Sequence, residues 1–374
     1  MKVAIVSDWL VSYAGSEKVE EAILELFSDA DIYTNIYDAE AFKGTGFENR
    51  NIKQSFIARL PGAKKHYQKY LALMPYAVEQ LDLSRYDVII SSSHAVAKGV
   101  ITGPDQLHIC YCHTPMRYAW DFQHQYLADS GMAKGLKGNV ARYLLHRLRL
   151  WDCRTSNGVD HFIANSRYIA RRINKVYRRE ASVIYPNVDV ENFNLYEQKE
   201  NFYLAASRLV PYKRISLIVE AFTKMPDKKL VVIGTGEQAE KIKQMLTPNI
   251  TFLGYQPTEI LQAYMQRAKA FIFAAEEDFG IMPIEAQACG TPVIAYGRGG
   301  AFETVRHGET GAHFFEQTSA AIQQSVEQFE HEGIAFDAQA IRYHAEQFSE
   351  ARFKQELSAF VDTKWNEFVE QRGF

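Results

Sequence analysis

Two glutamates eight positions apart, Glu277 and Glu285, stand on either side of a glycine-containing turn in the second half of the chain. The backbone N–H groups of that turn belong to Phe279, Gly280 and Ile281, and a helical pattern follows them. A helix N-terminus leaves backbone N–H groups unpaired, which suits a phosphate or a sugar hydroxyl. Glu285 could instead simply complement the positive end of the helix. The spacing alone leaves both interpretations open.

A strand and a helix must hold this turn in place. The apolar run Ala270–Ala275 predicts a buried strand, and a loop over 276–281 follows it. Pro283 suits the first position of a helix, and Gly290 is suited to end that helix. We therefore expect a strand–loop–helix unit that carries the two carboxylates around its loop.

The same alternation of short apolar runs and helical patterns extends along the whole chain. The predicted strands of the first part are Val3–Ser7, Asp31–Tyr37, Asp87–Ser91, Leu107–Cys112 and His161–Ala164. Those of the second part are Tyr203–Ala206, Lys229–Ile233, Thr251–Leu253, Ala270–Phe273 and Pro292–Ala295. This βαβα order is typical of parallel sheets covered by helices on both faces, whose ligands bind beyond the carboxyl ends of the strands.

A polar stretch over 192–201 separates the two series, and we place the domain boundary at about 187–201. We therefore expect two doubly wound α/β domains. The predicted domains comprise residues 1–190 and 200–349. Residues 350–374 form a predicted helix that could dock on either domain, including by crossing back to the first.

The composition narrows the class of protein. The 374 residues are 47% hydrophobic and 23% charged, with four cysteines and a net charge of −3. These values exclude a disordered, fibrous or disulfide-rich chain and a dedicated nucleic-acid binder. The first apolar run meets Asp8 too early for a signal peptide, and no run approaches the ~20 residues that span a bilayer. We expect a cytoplasmic protein, at most attached to the inner face of the cell membrane.

Three side chains after the strand Tyr203–Ala206 could act on a phosphate, namely those of Ser207, Arg208 and Lys213. Arginine offers a fork for two phosphate oxygens, whereas lysine acts as a mobile point charge. Two such cations could stabilise the charge that builds on a phosphate when a sugar–diphosphate bond breaks, without a metal ion. Alternatively, both are solvated side chains at the start of a helix.

At this point the sequence resembles a known family. The stretch EEDFGIMPIEAQACGTPVIA resembles the E-x7-E motif of the retaining glycosyltransferases of family 4, which have the two-domain GT-B fold. ASRLVPYKR resembles that family's phosphate-binding segment, and VVIGTGE and FLGY, with Gly234 and Tyr255, resemble its next two strand ends. The resemblance covers nearly the whole chain and implies two Rossmann-like domains facing a central cleft.

The resemblance also implies roles for single residues. Arg208 and Lys213 would hold the diphosphate, Glu277 the donor sugar and Glu285 the ribose hydroxyls. The implied donor-binding residues are Gly15, Ser207, Gly234, Tyr255, Phe279, Gly280, Ile281, Met282 and Glu285. Gly15 belongs to YAGSEKV, which resembles the family's glycine loop although Ala14 replaces one of its two usual glycines.

A further stretch, ICYCHTPMRYAWD, resembles mannosyltransferases of bacterial O-antigen and lipopolysaccharide assembly that use GDP-mannose. It implies that His113 lies beside the donor sugar and the reacting centre, although such a histidine alone is more often structural. The aromatic rings and carboxylate of Tyr118, Trp120 and Asp121 suit an acceptor sugar, or they could equally be loop packing. The implied reaction is retaining, metal-independent transfer of mannose to a lipid-linked polysaccharide or oligosaccharide.

Two patterns suggest a metal at first sight. Asp29 and Asp31 form a D-x-D, but it lies at the wrong end of its strand for a ligand, and we interpret it as a solvated turn. Cys110 and Cys112 share a strand face with His108, whereas His113 opposes them, and no second cysteine pair completes a tetrahedral site. We therefore expect no metal and no other cofactor.

Two other kinds of protein remain possible. One is another sugar-nucleotide enzyme on the same fold, with a different donor or with epimerase or dehydrogenase activity. Gly234–Ala239 matches a dinucleotide fingerprint, but the next strand ends at Leu253–Tyr255 without the acid that would hold a ribose, which disfavours a dehydrogenase. The other is a non-catalytic sugar-nucleotide-binding subunit, which the charges at 208, 213, 277 and 285 disfavour.

Positive charge is concentrated in the first part of the chain. Residues 134–182 hold twelve Lys and Arg against three acids, and residues 50–69 hold six and none. The predicted helix Arg167–Tyr177 should turn Ile169 and Ile173 inward; the basic side chains left outside are Arg171, Arg172, Lys175 and Arg178. This charge suits anionic lipid headgroups or the diphosphate of a lipid-linked acceptor, or it is a solvated helix face.

Overall fold

The computed structural model describes residues 1–331 and 336–372, which fall into two units. The first unit comprises Met1–Asn187 and Phe353–Phe374, and the second comprises Val188–Arg352. Each unit is built on a parallel sheet of its own. The expectation of an α/β fold with two doubly wound, Rossmann-like domains is confirmed.

The sheet of the first unit has seven strands in the order β3-β2-β1-β4-β5-β6-β7, and every neighbouring pair is parallel. The strands are β1 (Val3–Ser7), β2 (Asp31–Thr34), β3 (Ile52–Gln54), β4 (Val88–Ser93), β5 (Leu107–Cys112), β6 (His161–Ala164) and β7 (Ala181–Val183). Its central strands are wholly buried because helices cover both faces, as their continuous apolar sequences require.

The helices of the first unit include one long surface helix. They are α1 (Gly15–Leu26), α2 (Ala63–His66), α3 (Met74–Glu79), α4 (Gln123–Asp129), α5 (Gly135–Thr155) and α6 (Arg167–Tyr177). Single 3₁₀ turns lie at Ala39–Phe42, Phe56–Arg59, Tyr67–Tyr70, Ala97–Gly99 and Ser156–Gly158. Helix α1 buries Val19, Ala22 and Ile23, which recur at helical spacing and face the sheet.

The sheet of the second unit has six strands in the order β10-β9-β8-β11-β12-β13, again all parallel. They are β8 (Tyr203–Ala206), β9 (Leu230–Ile233), β10 (Ile250–Gly254), β11 (Ala270–Phe273), β12 (Val293–Tyr296) and β13 (Gly311–Phe314). The helices are α7 (Ile215–Thr223), α8 (Ala239–Lys243), α9 (Thr258–Arg267), α10 (Ile281–Ala288), α11 (Ala301–Thr304), α12 (Ser319–His331) and α13 (Ala338–Glu346). A 3₁₀ turn over Pro211–Lys213 follows β8.

The last helix, α14 (Glu350–Gln371), returns the chain to the first unit. Phe353, Leu357 and Val361 are fully buried in the core that β1, β4 and β5 share with α1. Their spacing of four residues places them on one face of the helix. This face supplies the core contacts that make residues 353–374 part of the first unit.

The sequence located most strands but missed three of the four edge strands. Five of the ten predicted strands have the predicted bounds, and the bounds of the other five differ by one to three residues. β3, β7 and β13 were not predicted because they are only three or four residues long and lack an apolar run. Within the described residues, no helix is both long enough and apolar enough to cross a membrane.

Candidate functional site

The strand orders show where each sheet offers a ligand site. In the first unit β1 lies between β2 and β4, and in the second unit β8 lies between β9 and β11. At such topological switch points the connections leave in opposite directions, and a crevice opens beyond the carboxyl ends of the strands. The residues that follow β1 and β4, and those that follow β8 and β11, are therefore the candidates.

In the second unit, the segment after β8 is fixed by the end of β9. The Ser207 N–H donates to the Ile233 carbonyl at 3.1 Å, and the Leu209 N–H donates to the Thr235 carbonyl at 2.8 Å. Gly234 has φ +144°, and a Cβ there would lie 1.8 Å from the Ser207 carbonyl oxygen. The glycine is therefore required by the approach of one strand end to the other, and the expected nucleotide is not needed to explain it.

The two predicted phosphate-binding cations differ in their surroundings. Arg208 is exposed, and its Nη2 donates to the Tyr212 hydroxyl at 3.1 Å. Lys213 ends the 3₁₀ turn, and its ammonium forms an ion pair with Glu277, each side chain being 17% exposed. This pair joins the end of β8 to the loop after β11, across the switch point of the sheet.

The loop that carries Glu277 leads directly into α10. Gly280 precedes the helix with φ +89°, a left-handed conformation that glycine adopts without strain. The helix begins at Ile281, two residues before the predicted start near Pro283. Glu285 is therefore the fifth helical residue. It lies beyond the first turn, and the first turn is where the helix dipole acts most strongly. This position argues against the dipole interpretation, and the ligand role of Glu285 stays a prediction.

Two glycines that the sequence analysis missed hold this loop. The Gly300 N–H donates to the Glu277 carbonyl at 2.8 Å. A Cβ on Gly299 would lie 2.3 Å from the Glu277 carbonyl oxygen, and a Cβ on Gly300 would lie 2.3 Å from the Phe279 Cα. The pair of glycines after β12 thus allows backbone to pack on backbone, and their position at a strand end was the available signal.

The first unit places its predicted histidine at the end of β5. His113 is buried, its backbone N–H donates to the Ser93 carbonyl at 2.9 Å, and its Nε2 lies 2.8 Å from the Ser92 hydroxyl. Burial, with a smaller contribution from nearby His94, lowers the pKa of His113 to about 3. The imidazole is therefore neutral at physiological pH, so one ring nitrogen can donate a hydrogen bond and the other can accept one.

A buried carboxyl group stands behind that histidine. Glu20 on α1 accepts hydrogen bonds from the hydroxyls of Ser7 and Ser92, so Ser92 links Glu20 to His113. Burial and the neighbouring Glu17 raise the pKa of Glu20 well above its ordinary value. Glu20 was not predicted as a site residue, although the serine run before His94, at the end of a strand, was an available signal.

Asp8, the first residue after β1, fixes the turn that follows β4. Its buried carboxylate accepts from the backbone N–H groups of His94 at 2.6 Å, Ala95 at 2.9 Å and Ala97 at 2.6 Å. The Nδ1 of His94 also lies 3.1 Å from this carboxylate. A carboxylate that accepts several backbone N–H bonds is strongly held, so Asp8 ties the ends of β1 and β4 together.

The predicted acceptor residues are partly committed to other partners. The indole N–H of Trp120 donates to buried Asp152 at 2.7 Å, and Asp121 forms an ion pair with Arg172. Both contacts correspond to the loop-packing alternative. The prediction that Arg172 lies on the outer face of α6 is wrong. Its side chain is buried and forms hydrogen bonds with Asp121 and Thr114.

The glycine-loop region and the D-x-D also have a structural explanation. Ala14 precedes α1 in an extended conformation with φ −143°, which needs no glycine, and its N–H donates to Glu17 at 3.0 Å. Gly15 is the first residue of the helix. Asp31 is not in a solvated turn as predicted, because Arg85, 2.7 Å away, and Lys53 form ion pairs with it.

Comparisons with known proteins agree with this division of the chain. Residues 28–192 match Glycosyltransferase Family 4, and residues 189–348 match Glycosyl transferases group 1. The first match ends and the second begins close to the boundary between the two units. The chain carries the two domains of a GT-B glycosyltransferase.

Relatives of this GT-B chain act on different substrates by name. A D-inositol 3-phosphate glycosyltransferase of Mycobacterium leprae (strain TN) is 28% identical over 220 residues, 51% of each chain. A GDP-mannose-dependent alpha-(1-6)-phosphatidylinositol monomannoside mannosyltransferase of Mycolicibacterium smegmatis is 29% identical over 203 residues, 46% of this chain and 51% of the relative. The chain thus spans about half the length of these curated relatives.

A solved structure supports the fold over almost the whole GT-B chain. Anabaena Alr3699/HepE in complex with UDP superposes with a TM-score of 0.70 at 17% identity, covering 97% of this chain and 100% of that one. At this identity the likeness concerns the fold alone.

Most of the predicted donor residues of the GT-B chain gather at the switch point of the second unit. They are Ser207, Arg208 and Lys213 after β8, and Glu277, Phe279, Gly280, Ile281, Met282 and Glu285 after β11. Gly234 lies at the end of neighbouring β9, whereas Tyr255 is 75% exposed at the end of edge strand β10, two strands from β8. His113, Gly15 and the predicted acceptor residues belong to the first unit.

Proposed function

We propose that the chain transfers mannose from GDP-mannose to a lipid-linked polysaccharide or oligosaccharide, with retention of configuration and without a metal ion. The observation that carries this proposal is the Lys213–Glu277 pair beside exposed Arg208, at the switch point of the group 1 domain. Charged groups of both signs at that position suit a sugar diphosphate, whose phosphates are anionic and whose sugar offers hydroxyl donors.

The second unit would bind the donor. As the bond between the sugar C1 and the phosphate oxygen breaks, negative charge builds on the departing diphosphate. Arg208 and Lys213 would stabilise that charge electrostatically, which is the role a metal has in other phosphate-transfer sites. Glu277 would accept hydrogen bonds from the sugar hydroxyls, and it already positions the Lys213 ammonium.

The first unit would present the acceptor. Retention requires the acceptor oxygen to bond C1 on the face that the phosphate leaves, and the departing phosphate oxygen would take the acceptor proton. His113 would hold a hydroxyl of the donor sugar through a neutral imidazole, because its pKa of about 3 keeps it uncharged. Its bond to Ser92 would set the orientation of the ring.

The identity of the donor rests on two observations. The sequence around His113 resembles GDP-mannose-dependent enzymes, and one relative is GDP-mannose-dependent by name. The solved structure with the same fold holds UDP, so a UDP-sugar is the alternative donor. A lipid-linked acceptor and attachment to the inner face of the membrane are supported by the excess of basic residues over 50–69 and 134–182.

The test is a transfer assay with radiolabelled GDP-mannose, EDTA and a lipid-linked saccharide prepared from membranes. We expect labelled mannose on the lipid fraction, with the α-configuration of the donor retained by NMR, and no loss of activity with EDTA. Transfer from UDP-sugars alone would contradict the choice of donor, and dependence on a metal would contradict the proposed chemistry. Conversion of the donor without any acceptor would instead indicate an epimerase.

A further inference from the structure

Helix α5 exposes apolar side chains along one face. Leu136 is 80% exposed, Val140 52% and Tyr143 62%, and they recur at positions i, i+4 and i+7 of the helix. Residues at this spacing lie above one another on a single stripe. Soluble proteins normally turn such a stripe toward a core, so its exposure marks a surface that contacts something apolar.

The charge around this stripe has one sign. No acidic residue occurs between Asp129 and Asp152, an interval that contains five Lys and Arg residues: Lys134, Lys137, Arg142, Arg147 and Arg149. The segment 61–73 adds Lys64, Lys65 and Lys69 and contains no acid. An apolar stripe with basic flanks is the pattern of helices that lie in the interface of an anionic bilayer.

A cavity of about 510 Å³ joins these two elements. Leu144 and Leu148 of α5 line one side of it, and Leu71 and Lys69 line another. Leu144 is also 40% exposed, so the apolar wall of the cavity continues onto the outer surface of the helix. The cavity therefore opens beside the exposed stripe and has a basic residue on its rim.

Among the polar side chains that line this cavity, Tyr118 has a buried hydroxyl without a hydrogen-bond partner anywhere in 1–331 or 336–372. A buried hydroxyl without a partner is unfavourable, so an ester carbonyl at the head of an acyl chain would stabilise it by accepting a hydrogen bond. Mostly apolar walls with a few polar side chains match an amphiphile better than a free sugar.

We propose that α5 and the segment 61–73 form a docking surface for a bilayer containing anionic phospholipid, and that the cavity receives a hydrocarbon chain from it. Leu136, Val140 and Tyr143 would enter the interface, and the basic residues would meet the headgroup phosphates. The role of this docking, which is to bring the chain to its lipid-linked acceptor, rests on the proposed function. The docking itself needs neither donor nor transfer.

The primary test is co-sedimentation with vesicles of phosphatidylcholine alone or mixed equally with phosphatidylglycerol. We expect binding to the mixed vesicles only, and a loss of at least about tenfold in partitioning for L136S/V140S/Y143S. Lys134→Gln and Lys137→Gln should each weaken binding by about fivefold. The matched control is I101S/Y343S, which removes side chains that are 63% and 69% exposed elsewhere and should bind like the wild type.

Contrary results are equally definite. Equal binding by the triple variant and the wild type, or no binding to mixed vesicles, overturns the docking surface. A concentration-dependent dimer in sedimentation velocity that the triple substitution abolishes assigns the stripe to a second copy of the chain, and so also overturns it. Circular dichroism checks that each variant is folded.

The cavity has its own measurement, because Trp9 lines it. Phospholipids brominated on the acyl chain should quench tryptophan fluorescence, and Trp9→Phe should remove a large part of that quenching. Unchanged quenching in Trp9→Phe overturns the assignment of a hydrocarbon chain to the cavity. Vesicle binding without any transfer would refute the proposed function alone, and transfer to a short-chain acceptor without vesicle binding would refute the docking surface alone.

Discussion

The two units have the same kind of switch point but place different groups there. In the first unit Asp8, Glu20 and His113 are buried and hydrogen-bonded to their neighbours. In the second unit Arg208 is exposed, and the Lys213–Glu277 pair remains partly exposed. A buried network fixes geometry, whereas accessible charges remain available to a charged ligand, so one fold supports a rigid edge and a binding edge.

Ion pairs show the same contrast. Lys98 and Asp152 of the first unit pair in its interior, where their side chains are 2% and 0% exposed. Asp152 also accepts from the Trp120 indole at 2.7 Å and the Tyr177 hydroxyl at 2.9 Å. This pair is therefore part of the core, whereas we propose that Lys213 and Glu277 meet a substrate.

The largest expected effect is on the stability of the first unit. Lys98→Met leaves the Asp152 carboxylate buried without its cation, which should lower the free energy of unfolding by about 3–5 kcal/mol. Tryptophan fluorescence in a urea titration measures this, since all four tryptophans belong to the first unit. Lys64→Met, which removes an exposed pair with Asp38, should cost less than about 1 kcal/mol. Equal losses would show that the Lys98–Asp152 pair is not part of the core.

The next effect is on catalysis by the second unit. Arg208→Ala should reduce mannose transfer by about 100-fold, because it removes an electrostatic contact to the departing phosphate. Its stability should change little, since the side chain is exposed. Lys224→Ala, which removes an exposed cation at the end of α7, should retain full transfer. Full activity in Arg208→Ala would remove this residue from the site.

A smaller effect tests whether the rigid edge serves catalysis. Ser92→Ala removes the hydrogen bond that orients His113 and should lower kcat/KM for the donor about tenfold, with a raised KM, because His113 would hold a hydroxyl of the donor sugar. Ser91→Ala is the matched control. Ser91 precedes Ser92 on β4, and its hydroxyl lies at the same 2.8 Å from a different histidine, His108 on β5. Equal kcat/KM values for the two variants would show that the network is only structural.

The smallest effect depends on pH. Burial raises the pKa of Glu20, so the folded chain keeps a proton that the unfolded chain loses as the pH rises above about 4.5. The stability that Glu20 contributes is therefore lost with rising pH, and Glu20→Gln should gain in melting temperature over the wild type between pH 5 and pH 8. Glu40→Gln, at an exposed position, should show no such trend. A difference that shrinks with pH would contradict a protonated Glu20.

The sequence predicted what depends on local pattern. The strand Ala270–Phe273 and the loop that carries Glu277 follow from an apolar run, a glycine and a proline. The pairing of Lys213 with Glu277 was not predicted, because it depends on β8 and β11 being neighbours in the sheet. Local pattern was sufficient for the elements but not for this contact.

Contacts between distant segments were not predictable in the same way. Glu20 lies on an amphipathic helix, where a polar residue is ordinarily solvent-exposed, yet Ser7 and Ser92 surround it from two neighbouring strands. Helical periodicity predicts that Arg172 is exposed, but its side chain is buried because it forms an ion pair with Asp121, 51 positions earlier. Such pairings depend on how loops fold over helices, which helical periodicity does not encode.

The central claim is that the second unit binds a sugar nucleotide through Arg208 and its neighbours. A thermal-shift screen with GDP-mannose and with UDP, ADP and dTDP sugars tests it directly, because a ligand that binds only the folded state raises the melting temperature. We expect a saturable shift with GDP-mannose that Arg208→Ala greatly reduces. A shift with UDP sugars alone would contradict the choice of donor, and no shift with any sugar nucleotide would contradict the central claim.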